Sequence, residues 1–178
     1  ALETAIADLE GGGKRLLLTQ RTLFEAQRRE VIRNLHNAKT LSDLVTRQEP
    51  FNPQEFRLFD LAAWIRRFRR DGSLLISAIL VDGAREQVST YGLATTFDPT
   101  KQGVQEWLDD RIGFWSTRVN EETARLLMDE VGEGIRLQEA IRAIQGRIEK
   151  VFKFSDIVRS EMIARTETQV AVNAGAQA

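Results

Sequence analysis

Apolar residues recur along most of the chain at spacings of three, four and seven, the repeat that gathers them on one face of an α-helix. Trp107, Leu108, Ile112, Trp115 and Val119 form one such series, and Ile135, Leu137, Ile141, Ile144 and Ile148 form another. Over residues 15–38, Leu and Val alternate with Arg15, Arg21, Arg28, Arg29 and Arg33, which predicts a long amphipathic helix. Alternation at a spacing of two is scarce. Residues 74–81 are the best strand candidate, yet their apolar positions continue through Ala84 and Val88 at helical spacing, so the reading is a buried helix.

Helix boundaries follow from capping chemistry. Asn52 before Pro53, with Glu55 close behind, marks one start, and Asp98 before Pro99 marks another. Further starts fall at Thr40, with Asp43 three residues on, at Asn120 and at Ser155. Gly132 and Gly134 read as a stop and a restart. Gly11, Gly12 and Gly13 read as a hinge after a helix remnant over residues 1–9. The result is an all-α chain, an irregular bundle of about seven helices with room for a minor β element. It divides into a helix end and hinge over residues 1–13, a helical region over 14–103, and a second helical region over 104–178.

Composition narrows the chemistry. The 178 residues carry a net charge of −1, and 20 of the 25 basic residues are Arg, the side chain suited to bidentate pairing with carboxylates and phosphates. A hydrophobic content of 42% with 29% charged residues fits a globular protein rather than a disordered one. With no Cys and one His, thiolate metal sites, disulfides and cysteine nucleophiles are excluded, and any His-based mechanism rests on His36. Neither a cofactor nor a metal is expected. The longest apolar stretch, residues 74–81 with Ser77 inside it, is far shorter than the ~20 residues of a membrane-spanning helix. No secretory signal is visible. The first residue is Ala1 and the last residues are Asn173-Ala-Gly-Ala-Gln-Ala178, from which a piece of a longer polypeptide is expected.

Several features resemble sites without the necessary partners. Gly11-Gly-Gly-Lys14 lacks both the spacing and the hydroxyl of a phosphate loop, since Arg15 follows the Lys. Asp109-Asp110 and Glu121-Glu122 point ~100° apart on a helix and do not converge. Arg66, Arg67, Arg69 and Arg70 surround Phe68 just before Asp71-Gly72; they read as the cationic C-terminus of a helix, with contact to DNA or an acidic partner as the alternative. Trp64, Trp107, Phe114 and Trp115 read as core.

The last helix carries the most information. On a wheel at ~100° per residue its apolar residues fall nearly all round: Ile163, Val170, Ala171 and Ala174 on one side, Val158, Met162 and Val172 on the other. Burial on both sides is therefore expected. Arg165 and Glu167 lie about 160° apart and cannot pair with each other. Glu161 reaches Arg165 across one turn, whereas Glu167 needs a partner from another helix, loop N–H groups or a neighbouring subunit. No nucleophile, acid or metal ligand accompanies Glu167 in the sequence, so a structural role is preferred to a catalytic one.

Ile163-Ala-Arg-Thr-Glu167, followed by Asn173-Ala-Gly175, resembles the hallmark of the phage Mu F-like head-morphogenesis family. Upstream, Val119-Asn-Glu-Glu-Thr123, Val131-Gly-Glu-Gly134, Leu137-Gln-Glu-Ala-Ile141 and Arg147-Ile-Glu-Lys-Val-Phe152 are similar to its usual order, so the likeness covers about residues 104–175. It implies a non-enzymatic minor virion protein acting at the portal vertex or inside the capsid, during assembly, DNA packaging or ejection. The implied partners are portal and other capsid proteins in a homo-oligomeric assembly, together with packaged DNA, and no membrane. Glu161, Arg165, Thr166, Glu167 and Asn173 are the motif residues so implied. Such domains are fused behind portal proteins in several phages, and members continue past the Asn with further structure. A DNA-contacting helical module, or the non-catalytic leader of a larger toxin or transferase chain, is the alternative expectation. Residues 1–103 resemble nothing named.

Overall fold

Helix propensity and threefold-to-fourfold apolar spacing are realised in the computed structural model, which describes residues 11–38, 58–92 and 97–177. Helix α1, Gly11–Asn37, buries Leu16, Leu23, Phe24, Val31 and Leu35 on one face. Helix α2, Leu61–Tyr91, starts where the Asp60 carboxylate accepts from the Ala63 N–H at 2.9 Å and ends at Gly92, whose φ of 59° lets its N–H turn back to the Ser89 and Val88 carbonyls. Helix α3, Gln102–Arg136, is followed by a tight turn with Gln138 at φ 56°. The last run combines α4, Ile141–Phe154, a π-helical turn, Ser155–Arg159, and α5, Ser160–Gln177.

Four long helical runs therefore make the fold, and no strand occurs among the described residues. The expected seven helices and minor β element are corrected: several sequence boundaries lie inside continuous helices. Gly12 and Gly13 lie inside α1, and a Cβ at Gly12 would stand 2.4 Å from Ile79 Cγ1, so close packing on α2 explains that glycine, while Gly11 takes the left-handed φ of 50°. Helix α3 runs through Gly132 and Gly134; a Cβ at Gly134 would approach Ile144 Cγ1 to 2.8 Å. Asn120 and Ser155 are buried within helical runs and cap nothing: Asn120 Oδ1 accepts from Gln27 of α1 and its Nδ2 donates to the Ser116 carbonyl, while Ser155 Oγ accepts from Arg159 one turn on. Asp98 precedes α3, but its carboxylate accepts from the Thr100 N–H and hydroxyl, and Lys101 occupies the cap. The starts at Thr40 and Asn52 and the remnant over residues 1–9 lie outside the described residues.

Direction alternates along the chain. Glu30 and Phe24 of α1 meet Trp64 and Phe68 of α2 in reverse order, and Glu130 and Gly134 of α3 meet Arg147 and Ile144 of α4 likewise. His36, Arg28 and Arg21 of α1 meet Gln145, Glu149 and Asp156, so the last run is antiparallel to α1 as well. Helix α2 consequently runs parallel to α5 and packs on it, closely enough that a Cβ at Gly83 would stand 2.8 Å from the Val172 Cα. One core joins all four runs, with Phe24, Phe68 and Trp115 in ring contact at its centre. Each such buried aliphatic or aromatic side chain contributes roughly 1.5–3 kcal/mol. The boundary expected at residue 103 falls in the first turn of α3, and elements on both sides of it share that core. Residues 74–81 are helical as expected, although Leu74 itself is 79% exposed.

Candidate functional site

Burial divides the last helix sharply. On its inner side Glu167, with its side chain 7% exposed, receives two hydrogen bonds from Arg111 of α3, Nε to Oε2 and Nη2 to Oε1, both 2.7 Å. The fork-to-fork geometry occupies both carboxylate oxygens. Burial pushes the Glu167 carboxyl above its ordinary value, against the opposing pull of the Arg111 hydrogen bonds and charge. On the outer side Arg165, 47% exposed at its side chain, donates to Glu161 at 3.1 Å. The opposed placement of Arg165 and Glu167, and the Glu161 to Arg165 pair, are as the sequence indicated; the partner of Glu167 is Arg111, which it did not.

Around-the-wheel burial is not found. Met162 is 58% exposed, and Phe154, Ile157 and Val158 are exposed with it along the outward face of the π turn and its neighbours. The described helices lie against the other face only, which carries Ser160, Ala164, Glu167 and Ala171. Thr166 is exposed, and exposed Asn173 accepts from Gln169 at 2.9 Å. The motif thus has an inner half fixed to the bundle and an outer half presented to the surroundings.

Beside this pair runs a buried polar seam. Arg159 lies under the bundle surface with Nη1 donating to Thr123 Oγ1 at 3.1 Å and Ser155 Oγ at 3.0 Å, Nη2 donating to the Val119 carbonyl at 3.2 Å, and its guanidinium over the Phe24 ring. Its acceptors are all neutral, and burial lowers its pKa, with Glu122 opposing at longer range. Gln27 Nε2 donates to Asn120 Oδ1 at 2.6 Å, and Asn120 Nδ2 to the Ser116 carbonyl at 2.7 Å. The Gln20 amide donates to the Ser160 carbonyl at 3.0 Å and accepts from the Trp115 indole N–H at 3.3 Å. The π turn makes this possible: one extra residue per turn aims Arg159 and Ser160 inward together. Sequence reasoning missed Arg111 and Gln27 because their partners lie on other helices, 56 and 93 residues away, and it missed Arg159 because a helical repeat with an inserted residue looks like a repeat that has drifted.

The cation cluster on α2 also changes meaning. Arg66, Arg67, Arg69 and Arg70 lie within the first half of a helix that continues to Tyr91, so they do not complement a C-terminal dipole. Arg70 binds Asp71 at 2.6 Å, Arg69 reaches Asp109 at 3.5 Å, and Arg67 lies 4.9 Å over the Trp64 ring. Trp64 and Trp115 are buried and Trp107 half-buried as expected, whereas Phe114 is exposed with Arg111 over its ring. His36, in the last turn of α1, pairs with Gln145 at 3.1 Å. Among the described residues no group of three or more acidic or His side chains is placed to hold a metal ion, and no helix is long and apolar enough to cross a membrane. No protein-family model, curated protein or solved structure matches the chain.

Proposed function

We propose that the chain is a structural, non-catalytic module of a phage head, acting at the portal vertex through the outer face of its last helix. The observation that carries this reading is the division of the motif helix: Glu167 is clamped inward by Arg111, while Met162, Val158 and Thr166 face outward beside the Glu161–Arg165 pair. Order of the motif pieces over residues 104–175 supports the family, and the clamp supports a structural Glu. The Arg111 fork engages both carboxylate oxygens and fixes the side chain inside the bundle, as a structural carboxylate requires. An apolar, partly charged face on a rigid helix suits a protein partner, here the portal or a neighbouring capsid subunit.

The test is particle composition. In the virus or prophage that encodes the chain, mass spectrometry of purified procapsids and virions should find the protein in both, and Val158→Asp with Met162→Asp should lower its incorporation about tenfold without unfolding it. Absence of the wild-type chain from both particles, or equal incorporation of the variant, would overturn the reading.

A further inference from the structure

Between α1 and α4, with Arg67 of α2 at one edge, lies an open groove of roughly 1060 Å³. Its acids are already engaged. Asp156 is held by Arg21 at 2.7 and 2.8 Å, Glu25 by Arg28 at 2.7 and 2.8 Å, Glu149 by Arg28 at 2.9 and 3.0 Å, and Glu30 accepts from the Trp64 indole at 3.0 Å. Three of its cations are not. Arg33 on the α1 wall and Lys150 and Lys153 on the α4 wall form no salt bridge among the described residues, Lys150 acting on Glu139 only at longer range, and all three are exposed. A chain of net charge −1 therefore concentrates positive charge in one place.

From this geometry we propose that the groove seats a helical segment of a partner protein that carries acidic side chains along both flanks and small or apolar residues between them. Residues 18–33 line α1's side of it, a length of roughly 22 Å, or four helical turns. The trough between two antiparallel helices is the natural bed for a third. Leu18, Ala26, Phe24 and Phe152 contribute the apolar part of the lining. Opposed cations on the two walls meet acids on the two flanks of an incoming helix. A nucleic-acid strand fits less well, because Glu25, Glu149 and Asp156 lie among the cations and oppose an unbroken line of phosphates. The inference stands apart from the phage-head reading, since it uses the α1–α4 groove and not the outer face of α5.

Fluorescence anisotropy on the full chain tests it. The probes are a labelled helix-forming peptide of about 18 residues with Glu flanks and a Leu/Ala stripe, the same peptide with Lys for Glu, and single-stranded and duplex oligonucleotides of matched charge. The Glu peptide should bind at least about tenfold more tightly than the others, and weaken as salt is raised from about 50 to about 200 mM. Arg33→Glu with Lys150→Glu and Lys153→Glu should abolish that binding and transfer preference to the Lys peptide, while Arg118→Glu, outside the groove, should leave it unchanged. Circular dichroism checks that the variants fold. Unaltered binding by the triple variant, or no binding of the Glu peptide to the wild type, overturns the proposal. Tighter, groove-dependent binding of an oligonucleotide overturns it in favour of a nucleic-acid site.

Discussion

Glu167 sits where burial and a guanidinium pull its titration in opposite directions, and burial is the stronger. Because its folded pKa lies above the ordinary value, the native state holds more protons than the unfolded state between those two values. Its contribution is therefore fully present below the ordinary Glu range and is lost as pH rises through the raised pKa. Arg111→Ala removes the one cation that offsets this cost, so it should destabilise by about 2–4 kcal/mol at about pH 8 and by clearly less at about pH 5, read from urea melts. Arg111→Leu with Glu167→Leu should recover most of the loss. Equal losses at both pH values would show that the pair is not a buried charge pair. Glu25 has the opposite sign. The Arg28 hydrogen bond, aided by Arg29, holds its carboxyl down at about 2, from an ordinary 4.5. Its contribution is present above 4.5 and lost as pH falls towards 2, so Glu25→Gln should flatten the wild-type drop in Tm across that window.

At the scale of the element, glycines that look alike in sequence have opposite roles. Gly72 and Gly83 are contact points, where a Cβ would meet the Trp115 ring at 2.2 Å and the Val172 Cα at 2.8 Å. Gly72→Ala and Gly83→Ala should each cost about 1–3 kcal/mol, because helices must separate to admit the methyl group. Gly113 and Gly132 lie in α3, where an added methyl group would meet nothing within 4 Å, so alanine there should stabilise by about 0.5–1 kcal/mol through helix propensity alone. Thermal melts of the four variants separate the two classes, and a uniform response would refute the packing argument. Deleting exposed Ile157 probes the π turn in the same way: the wide turn takes up one extra residue with almost no advance of the helix face, so its removal restores α-helical hydrogen bonding and keeps Glu167 facing Arg111. Cooperative unfolding should be retained, and its loss would show that the extra residue is not simply absorbed by the wide turn.

Across the whole molecule, the core passes without a break from Phe24 and Phe68 to Trp115 and on to Ile148 and Ala171. Trp64 reports on the first half of the chain and Trp115 on the second, and both are buried in that core. Tryptophan fluorescence and far-ultraviolet circular dichroism should therefore follow one coincident transition in urea. A fragment of residues 104–178 alone should lose it, since α3, α4 and α5 bury their apolar faces against α1 and α2. Two resolved transitions, or a cooperatively folded fragment, would mean that the halves are independent units.

The sequence by itself determined the helical class, the long α1, the buried face of α3 and the opposition of Arg165 and Glu167, because each follows from local periodicity and side-chain reach along one helix; the series from Ile135 to Ile148 is instead cut by the turn after α3, which leaves Leu137 and Ile141 exposed and only Ile144 and Ile148 buried. Tertiary structure alone decided where helices end, which glycines are contacts, and who pairs with Glu167. Gly132, Asn120 and Ser155 carry the chemistry of boundaries, yet they lie inside continuous helical runs whose buried residues on either side pack into the shared core. The π turn decided the rest: one inserted residue turns Arg159 and Ser160 inward, and with them sets which face of α5 is fixed to the core and which is left open.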